Sequence, residues 1–179
     1  MALGSTVRQN ANRNPALASE ANGRVLSELG GGDLAMQRAA LAALGNAAQP
    51  QNVSIIASYA NDADGLTRTE AARALRSVDS PEARNALLQL AADPDALVAG
   101  SAFDSLTQQS LGDSDWRALD QLAQQQRTPV DADAELIDLV REKGATRSEA
   151  REILLALAPR NSSPDNNLQQ VIRQLLDNG

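Results

Sequence analysis

The chain has 179 residues, 42% of them apolar, yet only three aromatics, Tyr59, Phe103 and Trp116, so small and unbranched side chains must build its core. Such side chains favour close helix-on-helix packing over a sheet, and an all-α fold is the expectation. A formal net charge of −7 sets the overall field against phosphate backbones and anionic membranes, and the lack of cysteine and histidine removes the usual thiol nucleophile, imidazole base and zinc ligands. No nucleic-acid partner, no enzyme activity, no metal and no other cofactor is therefore expected.

No apolar run approaches the roughly 18 to 20 residues that a membrane span needs. Met1 to Asn14 is polar and lacks the hydrophobic core of a signal peptide. A trimmed leader would leave no trace, so cytoplasm and periplasm both stay open as compartments.

Taken in order, residues 1–14 carry no apolar period and read as a flexible N-terminal arm. Residues 15–179 read as one helical repeat domain. Pro15, suited to a first helical position, opens a helix to Leu29 with Ala18, Val25, Leu26 and Leu29 inward, and Gly30-Gly31-Gly32 ends it. Asp33 caps a helix with Met36, Ala40, Leu41 and Leu44 inward. After Gln49-Pro50 a short helix at about 52–60 turns Val53 and Ile56 inward with Tyr59 or Ala60, and Asp64 opens its partner at about 65–78. Ser80 with Pro81 starts the next helix, and Asp93-Pro94-Asp95 leads into one through Leu97, Val98, Ala102, Phe103 and Leu106.

Beyond Gln108 the pattern loosens. Asp113 or Ser114 caps a helix carrying Trp116, Leu119 and Leu122, and Pro129 marks a break. Leu136, Ile137, Leu139 and Val140 lie on the next helix, which Gly144 stops. Thr146 with Glu149 has the form of a capping box for the helix of Ile153, Leu154 and Leu157, and Ser163-Pro164 starts a last helix through Leu168, Val171, Ile172, Leu175 and Leu176. About nine helices result.

An internal period organises these helices. An offset of 31 brings Asp33, Asp64 and Asp95 into one column, and sets Pro50 over Pro81, Ile56 over Leu87, Ala60 over Ala91, Asp62 over Asp93 and Leu66 over Leu97. A fixed period of this length is the mark of stacked helix pairs, so the fold class expected is an α-solenoid. Residues 93–106, Asp-Pro-Asp-Ala-Leu-Val-Ala-Gly-Ser-Ala-Phe-Asp-Ser-Leu, resemble the second helix of short HEAT-like repeats, whose usual form is Asp-Pro-Asp-x-x-Val-Arg-x-x-Ala-x-x-x-Leu. The resemblance is clear over about residues 15–108 and loose over 113–179. It departs at the family's arginine column, which here reads Gln37, Arg68 and Ala99. HEAT-like hydroxylases carry His-Glu pairs that this chain lacks, and the DNA-binding branch uses a basic surface at odds with the acidic balance.

Candidate chemistry is sparse. Asp-x-Asp pairs at Asp62/Asp64, Asp93/Asp95, Asp113/Asp115 and Asp131/Asp133 have the spacing of hard-cation ligands, but each precedes a helix, where a carboxylate caps free N–H groups. Ser101 follows Gly100 without the second glycine of a nucleophile elbow, and Lys143, the only lysine, lies in no Ser-Lys motif. The resemblance implies that the second helices line a concave face. The residues there are Gln37, Arg38, Arg68, Arg73 and Arg76, with Asp104 one period on from Arg73. The arginines suit carboxylates of an acidic peptide or protein, or else they are ordinary surface charge spent on neighbours. A non-enzymatic scaffold that binds a protein or peptide is the leading expectation; a carrier or chaperone for a lipid-like ligand or pigment is the alternative.

Overall fold

The computed structural model describes residues 2–11, 13–144, 147–162 and 167–178. Among them are eleven α-helices and no strand. In chain order these are α1 (Ala2–Asn10), α2 (Pro15–Glu28), α3 (Leu34–Ala47), α4 (Val53–Ser58), α5 (Gly65–Leu75), α6 (Pro81–Leu90), α7 (Ala96–Leu106), α8 (Asp113–Gln124), α9 (Asp133–Lys143), α10 (Ser148–Leu157) and α11 (Asn167–Asn178). Short 3-10 turns at Pro50–Asn52 and Tyr59–Asn61 flank α4, and two more sit at Val130–Ala132 and Pro159–Asn161. The fold is an all-α solenoid of helix pairs. In each pair, from α2/α3 to α10/α11, a first helix is followed by a second.

Local chemistry sets the helix starts. The side chains of Asp33, Asp64 and Asp95 accept from the first backbone N–H groups of α3, α5 and α7, and the Ser80 hydroxyl accepts from Ala83 N–H at the start of α6. Three of the four Asp-x-Asp pairs thus contribute to a helix start. In two of them the first aspartate also folds back, Asp62 accepting from Asp64 N–H at 2.8 Å and Asp93 from Asp95 N–H at 2.9 Å. The third starts differently from the sequence reading. Gly112, rather than Asp113 or Ser114, precedes α8, and its N–H donates to Asp115 at 2.9 Å. The α2–α3 turn closes through Gly32 at φ 74°, a left-handed angle that glycine adopts without steric cost.

By its internal contacts the chain forms two compact units, residues 1–87 and 88–179, with α6 crossing the boundary. In the first unit α3 packs between α1 and α5, while α2 backs α1 and α3 and α4 backs α5. Leu41, Leu44, Val53, Ile56 and Leu75 are fully buried, each contributing about 1.5–3 kcal/mol by leaving water. Small residues permit the layer to close: a Cβ on Gly45 would lie 2.6 Å from Ala74 Cα, so α3 and α5 touch backbone to backbone. In the second unit α7 packs on α9, α8 on α10, and α11 against α9 and α10. Its centre holds Phe103, Trp116, Leu119, Leu136 and Ile137, all at 0–1% exposure.

Four readings from the sequence need correction or qualification. The helix count is eleven rather than about nine. Residues 1–14 are not without a helix: α1 occupies Ala2–Asn10, because Val7 is buried with Ala18, Ala21 and Ala47, and Gly4 lets its backbone reach that of Ala43. Two apolar side chains at four-residue spacing, Leu3 and Val7, suffice where a ready-made surface supplies the rest. Met36 and Leu97 point outward at 48% and 49% exposure, since the first turn of each second helix overhangs the core. Thr146, the expected capping-box residue, and Ser163-Pro164, the expected start of the last helix, lie outside the described residues.

Candidate functional site

The start of α5 gathers two of the six polar residues expected on the second helices, Arg38 and Arg68. Asp64 accepts from Thr67 N–H at 2.8 Å and from the Thr67 hydroxyl at 2.7 Å. Arg38, one turn into α3, approaches the same carboxylate at 3.4 Å while its Nε donates to Leu34 O. Arg68 reaches back to donate to the carbonyl oxygens of Asp62 and Ala63 at 2.8 and 3.2 Å. The Thr67 hydroxyl and N–H hold the Asp64 carboxyl below its ordinary value against the opposing effect of burial, and Arg38 and Arg68 add lesser lowering effects. Arg38 and Arg68 are thereby spent on the helix start.

Other expected residues stand apart from this group. Gln37 donates to Leu29 O at 3.2 Å and so closes the end of α2, where the Tyr59 hydroxyl also donates. Arg73 is exposed and lies 3.9 Å from Glu70, one turn before it. Arg76 is exposed at the C-terminal end of α5, where a cation meets the negative end of the helix dipole. Asp104 is exposed on α7 in the second unit. The structure therefore brings Arg38 and Arg68 together around Asp62–Asp64, and Arg73 and Arg76 are exposed further along α5.

Two features escaped the sequence. One is a set of outward apolar side chains on the second helices: Leu34 at 47%, Met36 at 48%, Leu66 at 53% and Leu97 at 49% exposure. The Leu66/Leu97 column carried the signal, since a leucine repeated two residues after a capping aspartate sits in the first turn of the helix. The other is a buried ionic group in the second unit. Asp133, fully buried, accepts from Arg160, and Asn161 donates to it at 2.7 Å, while Arg160 also donates to Thr128 O at 3.1 Å and Thr128 Oγ1 at 2.6 Å. This group closes a polar junction in the core of the second unit.

A cleft of about 240 Å³ opens between α1, α2 and α3, lined by Leu3, Val25, Glu28, Met36, Ala39, Ala40 and Ala43. Among the described residues no group of three or more acidic side chains is arranged to hold a metal ion, and no helix is long and apolar enough to cross a membrane.

Residues 24–107 match the family model for HEAT repeats, within the 15–108 stretch where the period is clear. No curated protein and no solved structure gives a significant match.

Proposed function

We propose that this chain, a HEAT-like repeat protein with its repeats over residues 24–107, is a non-enzymatic scaffold that holds a protein or peptide along its second helices. HEAT repeats generally mediate protein interactions. The observation that carries the reading here is that Leu34 on α3 and Leu66 on α5 are half-exposed and that Arg73 and Arg76 are exposed on α5. Apolar anchors beside guanidinium groups suit a partner segment that alternates apolar and acidic side chains. In this reading Gln37, Arg38 and Arg68 shape the surface from beneath, through their bonds to Leu29, Asp64 and the Asp62–Ala63 carbonyls. On α7, Leu97 and Asp104 give the second unit an apolar anchor of the same kind with an acidic neighbour.

The carrier alternative has less support. The cleft between α1, α2 and α3, at about 240 Å³, falls below the roughly 300–1,000 Å³ of small-molecule sites.

Affinity capture from the source lysate tests the scaffold reading with three folded baits: wild type, Arg73→Glu with Arg76→Glu, and Leu34→Ser with Leu66→Ser, each checked by circular dichroism. Arg68 is left intact because it braces the α5 start. A protein recovered by wild type and lost from both variants supports the reading. Equal recovery by all three, or nothing above background with wild type, overturns it.

A further inference from the structure

Neither Arg73 nor Arg76 is among the residues that line the cleft between α1, α2 and α3, and its geometry follows from how α1 is seated. Gly4 meets Ala43 and Val7 joins Ala18, Ala21 and Ala47, so α1 runs in the same direction as α3 and covers the C-terminal half of it. The N-terminal half of α3, from Met36 to Ala40, faces the end of α2 at Val25 and Glu28 with Leu3 of α1 as the third wall. The floor is made of small buried side chains, Ala40 and Ala43, with exposed Ala39 at its edge; the walls are aliphatic, and Leu3 and Met36 stand 42% and 48% exposed.

α1 demonstrates what this groove accepts. It is a helix that approaches α3 through a small residue and inserts one aliphatic side chain beside alanines. The open part continues the same groove with the same kind of floor. Its volume of about 240 Å³ takes one or two aliphatic side chains rather than a lipid or pigment. Among the described residues that line it the charged one is Glu28, which is exposed, so the occupant that complements it brings a cation next to its apolar face.

We propose that this cleft seats the apolar face of a helical segment from another protein, with a lysine or arginine of that segment against Glu28. Recognition is helix-in-groove, with anchors at spacings of three and four residues. The site is independent of the second-helix surface, and the acidic rim selects a basic helix where Arg73 and Arg76 would select an acidic segment.

Fluorescence anisotropy tests it with a labelled, capped peptide of about fourteen alanine, leucine and lysine residues, its leucines on one helical face and lysines flanking them. A second peptide carries glutamate in place of lysine. Ala39 is exposed, so Ala39→Trp fills the cleft from its open side without disturbing the core; circular dichroism checks that it folds. The expected result is binding of the lysine peptide, at least about tenfold weaker binding of the glutamate peptide, a loss of about tenfold or more with Ala39→Trp, and a smaller loss with Glu28→Gln but not with Glu20→Gln. No binding of the lysine peptide, equal binding of both peptides, or an undiminished affinity in Ala39→Trp overturns the proposal. So does self-association of the wild type in sedimentation equilibrium that Ala39→Trp abolishes, since the occupant is then a second copy of the chain. Arg73→Glu with Arg76→Glu leaves this binding unchanged, which separates its outcome from that of the scaffold test.

Discussion

Arg160 grips the fully buried carboxylate of Asp133 with two nitrogens, Nε donating to Oδ2 at 2.8 Å and Nη2 to Oδ1. With Thr128 and Asn161 completing the group, the turn at Pro159–Asn161 is pinned to the start of α9. Removing one partner strands the other charge with little access to water, a loss of about 3–5 kcal/mol. Asp133→Leu and Arg160→Met are each expected to destabilise on that scale in urea unfolding. The double variant Asp133→Leu, Arg160→Met is expected to cost much less than the sum of its single changes.

Asp64 and Asp133 respond to acid with opposite signs. Asp64 has its carboxyl lowered from 3.8 chiefly by the Thr67 hydroxyl, so its contribution to stability is present above 3.8 and is lost as pH falls through the lower folded value. Burial raises Asp133 above 3.8 against the bonds from Arg160 and Asn161, so its contribution is full below 3.8 and is lost as pH rises through the higher folded value. Thr67→Val removes the largest cause acting on Asp64. Urea midpoints of wild type and Thr67→Val should differ most near neutral pH and converge as the pH falls below 3.8.

The backbone contact at Gly45 leaves no room for a side chain. Gly45→Ala is expected to cost about 1–3 kcal/mol, because Ala74 Cα stands where the new methyl must go. Gly4→Ala should instead release α1 from Ala43. Hydrogen exchange at the amides of α1 then rises sharply while those of α5 keep their protection.

Two positions carry the wrong residue for their backbone. Gly23 lies inside α2 with open space around a would-be Cβ, and Ala48 ends α3 in the left-handed region at φ 51°. Gly23→Ala should add about 0.5–1 kcal/mol of stability, and Ala48→Gly up to about 1 kcal/mol, each read from the thermal midpoint.

The sequence made the repeat architecture legible because cap and core positions recur. Asp33, Asp64 and Asp95 each do the same job, and the buried columns Leu44/Leu75/Leu106 and Ile56/Leu87 hold. It misled at Met36 and Leu97 because hydropathy does not record that a first turn overhangs the core. The arginine group was legible as residues but not as bonds: whether Arg68 faces a partner or the Asp62 carbonyl depends on a side-chain path that spacing leaves open. Asp133 and Arg160, 27 residues apart on segments outside the clear period, gave no local signal of their pairing.

Because α3 and α5 meet at Gly45 and Ala74 with backbone against backbone, no compressible layer of side chains separates them at that point. A pull or a bend applied to the first unit meets a rigid fulcrum there. Strain passes to joints cushioned by longer side chains, such as the Asn22–Asn52 contact between α2 and the turn before α4. The first unit is therefore a spring of uneven stiffness, and force spectroscopy should find the α3–α5 seam among the last parts of it to yield.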